Sequence, residues 1–394
     1  MKCDALESWI RCLCAAAATA IVAACTAPRP TGVQPDQQGR LEAILPNVGN
    51  GLCVLVKCPN GNAVLNDCGS LLGEGSGDLQ SAVALIKGQI GSLARNAKLY
   101  VLTSHPDKDH VNLVHRVVDD SAIKANLTAI YLNVFRSEYR EPTFLRWLDH
   151  VKELRGGGAN PVPVNILPET KDTSPVTPLP DLACSARARG VFLLANGHGK
   201  TRNDKSAVLL YEHGQQKFMT TGDAENETLI WLMGYRPRQI EGAAMMVAPH
   251  HGSENHTNSE SWAKKSRPRI VFFSAGDNPR YAHPRCNVLK VYDLDGKSLI
   301  PAIKHEVTCF LQQGVSRDEK WERAEFNTAK FGALVFSTDG RSPSVLRCPG
   351  NTGDRRRCAQ QLAISEQVVI SSPPPGPTQS EGTPSETQIT DPRW

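Results

Sequence analysis

Residues 103–110 read TSHPDKDH, placing His105, Asp107, Asp109 and His110 at spacings i, i+2, i+4 and i+5. Imidazole nitrogens and carboxylate oxygens packed this closely suit zinc, manganese or iron better than calcium, which takes oxygen ligands. The i, i+2 alternation lets His105 and Asp107 project together, while the adjacent Asp109 and His110 can face a second ion. The bland alternative is a solvated polar turn. Two later stretches bear on the choice: Thr221-Gly222-Asp223 and His250-His251-Gly252-Ser253. Asp223 alone is an ordinary turn aspartate after glycine, and its functional reading is a carboxylate bridging two ions. Of the two adjacent histidines, one would be a ligand, and the other would orient a ligand or contact substrate. The sequence does not say which. Each stretch is weak alone; in this order they reinforce one another.

The elements that must carry these residues can be read from hydrophobic periodicity. LEAILPNVGNG, LCVLVKC and NAVLNDCGS are β-prone runs, the last two joined by a PNGN hairpin turn. A helix is expected over 78–90, and KLYVLTS is an apolar strand leading straight into the first cluster. From His110, HVNLVHRVV returns apolar residues at helical spacing. AVLLYEHGQQKFMTTGD reads as two strands around Gly214 that end at Asp223. AAMMVAPHHGS and RIVFFSAGDN are further strands with polar exits. Chemistry-bearing residues at the carboxyl ends of strands, carried on loops, are where α/β sheets place their sites. SEYREPTFLRWLDHVKELRGGG reads as an amphipathic helix that could shape a substrate lip.

His105-x-Asp107-x-Asp109-His110, then Thr221-Gly222-Asp223, then His250-His251-Gly252-Ser253 resembles the motif order of the metallo-β-lactamase fold. The likeness is greatest to the soluble hydrolase domain of ComEC-type DNA-uptake competence proteins. The opening NVGNGLCVLVKCPNGNAVLNDCGS, the NDKSAVLLYEHGQQKFMTTGD hairpin, FFSAGDNPRYAHP and FGALVFSTDG agree, so the resemblance runs over most of residues 43–340. It implies an α/β fold, a four-layer αββα sandwich with the ligands along one edge. It also implies two divalent ions, zinc or manganese. One would take His105, Asp107 and Asp223; the other would take Asp109, His110, His250 and Asp223. The implied activity is hydrolysis of a phosphodiester, with DNA the favoured substrate, by a hydroxide held between the ions. Asp109 would also hold that hydroxide, with His251 and His283 as the other catalytic candidates, His283 facing substrate. Asp107 stands where the wider superfamily has a second histidine, as in the competence proteins. That makes the first site harder, better suited to manganese, and unlike a typical β-lactamase. His198 lies in the region of the third histidine, although Asn203 to Ser206 is the better match there. No membrane channel accompanies the domain, so DNA transport is not carried over. Two rivals stand beside this reading: hydrolysis of another envelope ester (a phosphorylcholine ester, a lactone or a β-lactam), and a non-catalytic envelope binding protein on the same scaffold.

Bulk properties set the frame. The chain has 394 residues, 40% of them hydrophobic, and a net charge of +4, which neither demands nor excludes nucleic acid. Residues 1–24 read as a lipoprotein-type signal peptide: Lys2 and Arg11 precede the short apolar run LCAAAATAIVAA, which ends at Cys25. A lipid on Cys25 would anchor the protein to a membrane. The expected location is the bacterial cell envelope, facing the periplasm, with the outer membrane favoured by Thr26. Residues 25–40 read as a linker, 41–370 as the hydrolase domain and 371–394 as a disordered Pro-rich tail. Beyond Cys25, the cysteines at 53, 58, 68, 184, 286, 309, 348 and 358 form an even set without zinc-knuckle spacing, as disulfides in an oxidising compartment would. Cys348 and Cys358 bracket a short polar loop and are the pair most readily bridged. Arg355 to Arg357 read as a solvated basic loop.

Overall fold

The structure is a computed structural model. It describes residues 39–351 except 119–124, 154–161, 171–176, 186, 198, 255–256, 277–279, 294–304, 323–324 and 349–350. The expected signal, most of the linker, the tail, His198 and Cys358 therefore lie outside the described residues.

In chain order the first strands are β1 (Leu41–Leu45), β2 (Cys53–Lys57), β3 (Ala63–Cys68), β4 (Leu99–Thr103), β5 (Leu127–Leu132) and β6 (Val164–Ile166). There follow β7 (Thr177–Ser185), β8 (Ala188–Leu194), β9 (Val208–His213), β10 (Gln216–Thr220), β11 (Met245–Val247) and β12 (Val271–Phe273). The last are β13 (His305–Gln312), β14 (Val315–Trp321), β15 (Glu325–Asn327), β16 (Ala333–Thr338) and β17 (Pro343–Cys348). They make an eight-stranded sheet, β17-β16-β1-β2-β3-β4-β5-β6, a seven-stranded sheet, β15-β12-β11-β10-β9-β8-β7, and a separate hairpin, β13-β14.

Alternation along the strands builds the layers, because successive side chains leave opposite faces of a sheet. In the first sheet Val54, Val56, Val64, Tyr100 and Leu102 join the core between the sheets. Their neighbours Leu55, Leu65, Leu99, Val101 and Ile130 join a second core with Ile86, Val117 and Leu148. Those three come from the helices α1 (Gly77–Gly91), α3 (Val114–Val118) and α4 (Pro142–Glu153), with α2 (Lys108–Val111) a single turn between the first two. On the other side Leu229, Trp262 and Leu289 pack α5 (Asn226–Tyr235), α6 (Glu260–Ser266) and α7 (Cys286–Asp293) into the cluster that contains the second sheet, as its outer layer. The four-layer αββα sandwich implied by the resemblance is the architecture observed. α1 matches the helix expected at 78–90, and α4 matches the expected amphipathic helix.

Strand direction gathers the polar loops. β3, β4 and β5 are parallel to one another, as are β10, β11 and β12. The exits of β3, β4, β10, β11 and β12 thus carry Asp67, the first histidine cluster, Asp223, the histidine pair and Ser274 to one edge. Disulfides brace the scaffold. Cys53–Cys68 ties β2 to β3, Cys58–Cys184 ties the first sheet to β7, and Cys286–Cys309 ties α7 to β13. Cys348 is also disulfide-bonded, and its expected partner Cys358 lies outside the described residues.

Candidate metal centre

Asp223 is the hub. Its Oδ1 lies 3.0 Å from His110 Nε2 and 3.4 Å from His251 Nε2. Its Oδ2 lies 3.6 Å from His105 Nε2 and 3.7 Å from His250 Nε2. One carboxylate thus turns each oxygen toward a pair of imidazoles. Asp109 completes the Oδ1 side, its Oδ2 3.6 Å from His251 Nε2. The ligand atoms of Asp109, His110, Asp223 and His251 all fall within 4.8 Å of one another.

The sequence reading put His250 with Asp109 and His110. The structure puts His251 there instead and sets His250 beside His105. The reason lies in the backbone: His250 and His251 follow Pro249 in a tight turn with φ of 48° and 55°. Their ring planes stand 70° apart, so the two side chains serve different sides of Asp223. Left-handed backbone at residues other than glycine costs of order 1–3 kcal/mol each and persists where the surroundings enforce it. Here the His250 amide donates to Gly222 O, and His251 is held by the Ser274 carbonyl.

The histidine tautomers follow from these partners. His251 Nδ1–H donates to Ser274 O at 2.9 Å, and His110 Nδ1–H donates to Asp67 Oδ2 at 2.9 Å. With Nδ1 so engaged, each ring has only Nε2 left to offer a metal, the two atoms 3.3 Å apart and facing two carboxylates. Lone pairs and negative charge cannot converge in a buried site without a cation or a proton between them. His105 repeats the pattern. Its Nδ1 lies 3.0 Å from Ser104 Oγ, while its buried Nε2 has no hydrogen-bond partner. The donor set fits divalent transition metals.

The electrostatics of the site agree. Burial, then the neighbouring His110, lowers His105 to about 3, so its ring is neutral and ready to ligate. Burial also disfavours charge on His110, but Asp223 and Asp67 outweigh it and push that ring well above the ordinary imidazole value. Burial would raise Asp109, yet the facing His251 and the charge of His110 hold it at about 2. Asp223 is likewise held well below the carboxylate range, by His251, His110, His250 and His105 against its burial.

Asp107, expected as a ligand, lies on the cleft wall, where its Oδ1 meets Arg202 Nη1 at 2.8 Å. Burial raises this carboxyl and Arg202 opposes the rise. His250 leans outward to Glu225, its Nδ1 3.5 Å from Oε1. His283 stands 5.8 Å from His250 between ring centroids and lines the same cleft, which encloses about 440 Å³. Burial, and after it the charges of His251 and His250, lower His283 to about 3.

Sequence reasoning missed Asp67. This fully buried residue accepts from the Ser104 amide and hydroxyl, both at 2.6 Å, and from His110. It therefore orients His110 directly and His105 through Ser104. Its φ of 55° is left-handed, but in sequence an acid closing an apolar strand carries no such mark. Gly69, two residues on, is needed for space: a Cβ there would stand 2.2 Å from the Asp109 carbonyl carbon. Asp67→Asn is expected to keep the fold and weaken metal affinity by about 10–100-fold, the usual effect of losing a carboxylate behind a histidine ligand. Competition with a fluorescent zinc chelator would measure this, and an unchanged affinity would remove Asp67 from the site.

Comparison with known proteins gives the following. No protein-family profile matches the chain. ComE operon protein 3 of Bacillus subtilis (strain 168) is 35% identical over 91 residues, 23% of this chain and 11% of that protein. The similarity thus spans about a tenth of that relative's length. Among solved structures, the metallo-β-lactamase fold protein YhfI from Bacillus subtilis aligns at 12% identity and a TM-score of 0.35, covering 59% of this chain and 85% of that one. Human tRNase Z, short form, aligns at 15% identity and a TM-score of 0.34, covering 59% and 91%. Zn(2+)-bound PqqB from Methylobacterium extorquens aligns at 9% identity and a TM-score of 0.31, covering 52% and 71%.

Proposed function

We propose that the protein is a metal-dependent phosphodiesterase acting on DNA, with two divalent ions, zinc or manganese, bound on the two sides of Asp223. The observation that carries the reading is the division of ligands about that carboxylate: Asp109, His110 and His251 toward Oδ1, His105 and His250 toward Oδ2. Such ions supply Lewis-acid activation of water and neutralise charge on the phosphoryl oxygens. The protein's own groups do the rest. Asp109 is ionised at neutral pH and one-fifth exposed, so it can accept a hydrogen bond from the attacking water and orient it. Neutral His283 on the cleft wall can hold the leaving oxygen by a hydrogen bond without adding charge. Lys108, Arg140 and Arg202 line the same cleft and favour a polyanion.

The similarity to part of a ComE operon protein is consistent with the ComEC-type resemblance, and it is that resemblance that implies this substrate class. We also infer export to the cell envelope and anchoring by a lipid on Cys25, supported by the N-terminal sequence and by disulfides, which persist in oxidising compartments.

The test is cleavage of end-labelled single- and double-stranded DNA with added manganese or zinc, beside Asp109→Ala. Metal-dependent cuts lost in the variant are expected. Full activity in Asp109→Ala would discard the site, and bound metal without any cleavage would discard DNA in favour of another envelope ester.

A further inference from the structure

Tyr281 is an exposed aromatic ring on the wall of the catalytic cleft. It is 38% accessible and lines the same cavity as Asp223, His250 and His283. The Arg280 guanidinium lies over its ring, 5.6 Å from the centroid. Arg280 and the residues that follow Tyr281 are braced from behind. Gln313 Nε2, at the tip of the β13-β14 hairpin, donates to Arg280 O at 2.9 Å, and the Arg285 and Phe310 backbones bridge. The Cys286–Cys309 disulfide ties the same hairpin to α7, five residues beyond Tyr281. A large apolar ring left in water, stiffened from behind and set beside a candidate hydrolytic centre, has the form of a stacking platform.

Cations stand on another part of the same wall. Arg202, Arg140 and Lys108 line the cleft with Tyr281, and the Arg202 side chain is about half exposed even while paired with Asp107. An aromatic platform beside a cationic groove is how proteins hold single-stranded nucleic acid, stacking a base while positive groups follow the phosphates. In a duplex both faces of every internal base are already stacked, so Tyr281 could not be used without unpairing.

Resting on the nucleic-acid reading of this cleft, we infer that the substrate is single-stranded DNA and that Tyr281 is a specificity-determining residue, stacking on a base beside the scissile phosphate.

The probes are a fluorescein-labelled oligothymidylate, an all-abasic deoxyribose-phosphate oligomer of equal length, and a duplex. Binding to the full chain is followed by anisotropy in excess EDTA, which separates it from cleavage. The wild type is expected to bind oligothymidylate more tightly than the abasic oligomer by about tenfold, the scale of one base–aromatic stack, and more tightly than the duplex. Tyr281→Ala should erase the advantage over the abasic oligomer, Tyr281→Phe should keep it, and Arg202→Ala should weaken both single strands alike. Equal losses on both oligomers in Tyr281→Ala, no loss on either, or a preference for duplex would each overturn the inference. Cleavage with manganese separates it from the nuclease reading. Base-dependent binding without cuts would leave the stacking site and discard the nuclease. Cuts that are indifferent to Tyr281→Ala in both binding and rate would do the reverse.

Discussion

Asp223→Ala is expected to abolish metal retention and hydrolysis together while the domain stays folded. Among the described residues no other side chain faces the imidazoles of both sides directly: one oxygen faces His110 and His251, the other His105 and His250. An orienting carboxylate such as Asp67 is worth about 10–100-fold in affinity, so loss of the shared ligand should exceed about 100-fold. The scaffold should survive, because Asp223 belongs to a loop after β10, and the packing of the layers comes from apolar strand and helix residues. Metal content by mass spectrometry, with circular dichroism as the check on folding, decides the matter. A folded variant that purifies with wild-type metal would show that Asp223 is not the bridge.

The parts of this centre legible in the sequence were those coded locally. TSHPDKDH was legible as a candidate because His105, Asp109 and His110 come from one short stretch at the exit of β4 and the start of α2, and β4 before it reads as a strand from its apolar run alone. The same holds for the hairpin that ends at Asp223. What the sequence withheld was tertiary. Asp67 acts on His110 across 43 residues of chain, and His110 faces His251 across 141. Neither separation leaves a local signature. The choice between His250 and His251 rested on two left-handed residues and on a carbonyl from β12's exit, Ser274, which composition cannot reveal. Disulfide partners were hidden for the same reason: Cys58 and Cys184 meet only because β7 is brought back beside the β2-β3 turn.

Filling the metal-free site should release a proton from each raised imidazole, His110 and His250, and affinity should rise with pH across the imidazole range. His105 is neutral, lowered to about 3 by burial and by His110, and gives up nothing. His110 differs: burial opposes its charge, but Asp223 and Asp67 raise it well above 6.5, so the empty site carries a proton where a metal would bond. Below that raised value proton and metal compete, and affinity should fall on the order of tenfold per pH unit for each displaced proton. The same groups set the stability of the empty protein. Protonated His110 has a raised folded value, so its contribution is fully present below 6.5 and is lost as pH rises through the raised folded value. Asp109 and Asp223 have depressed values, so theirs is present above the ordinary carboxylate range and is lost only as pH falls through their folded values. The empty protein therefore weakens on the alkaline side, where bound metal replaces the lost proton. The rise in Tm on adding zinc should be larger at about pH 9 than at about pH 6. Calorimetry in two buffers of different ionisation enthalpy counts the protons directly. No proton release, with a flat affinity profile, would mean that the cation His110 faces in the empty site is not the one a metal displaces.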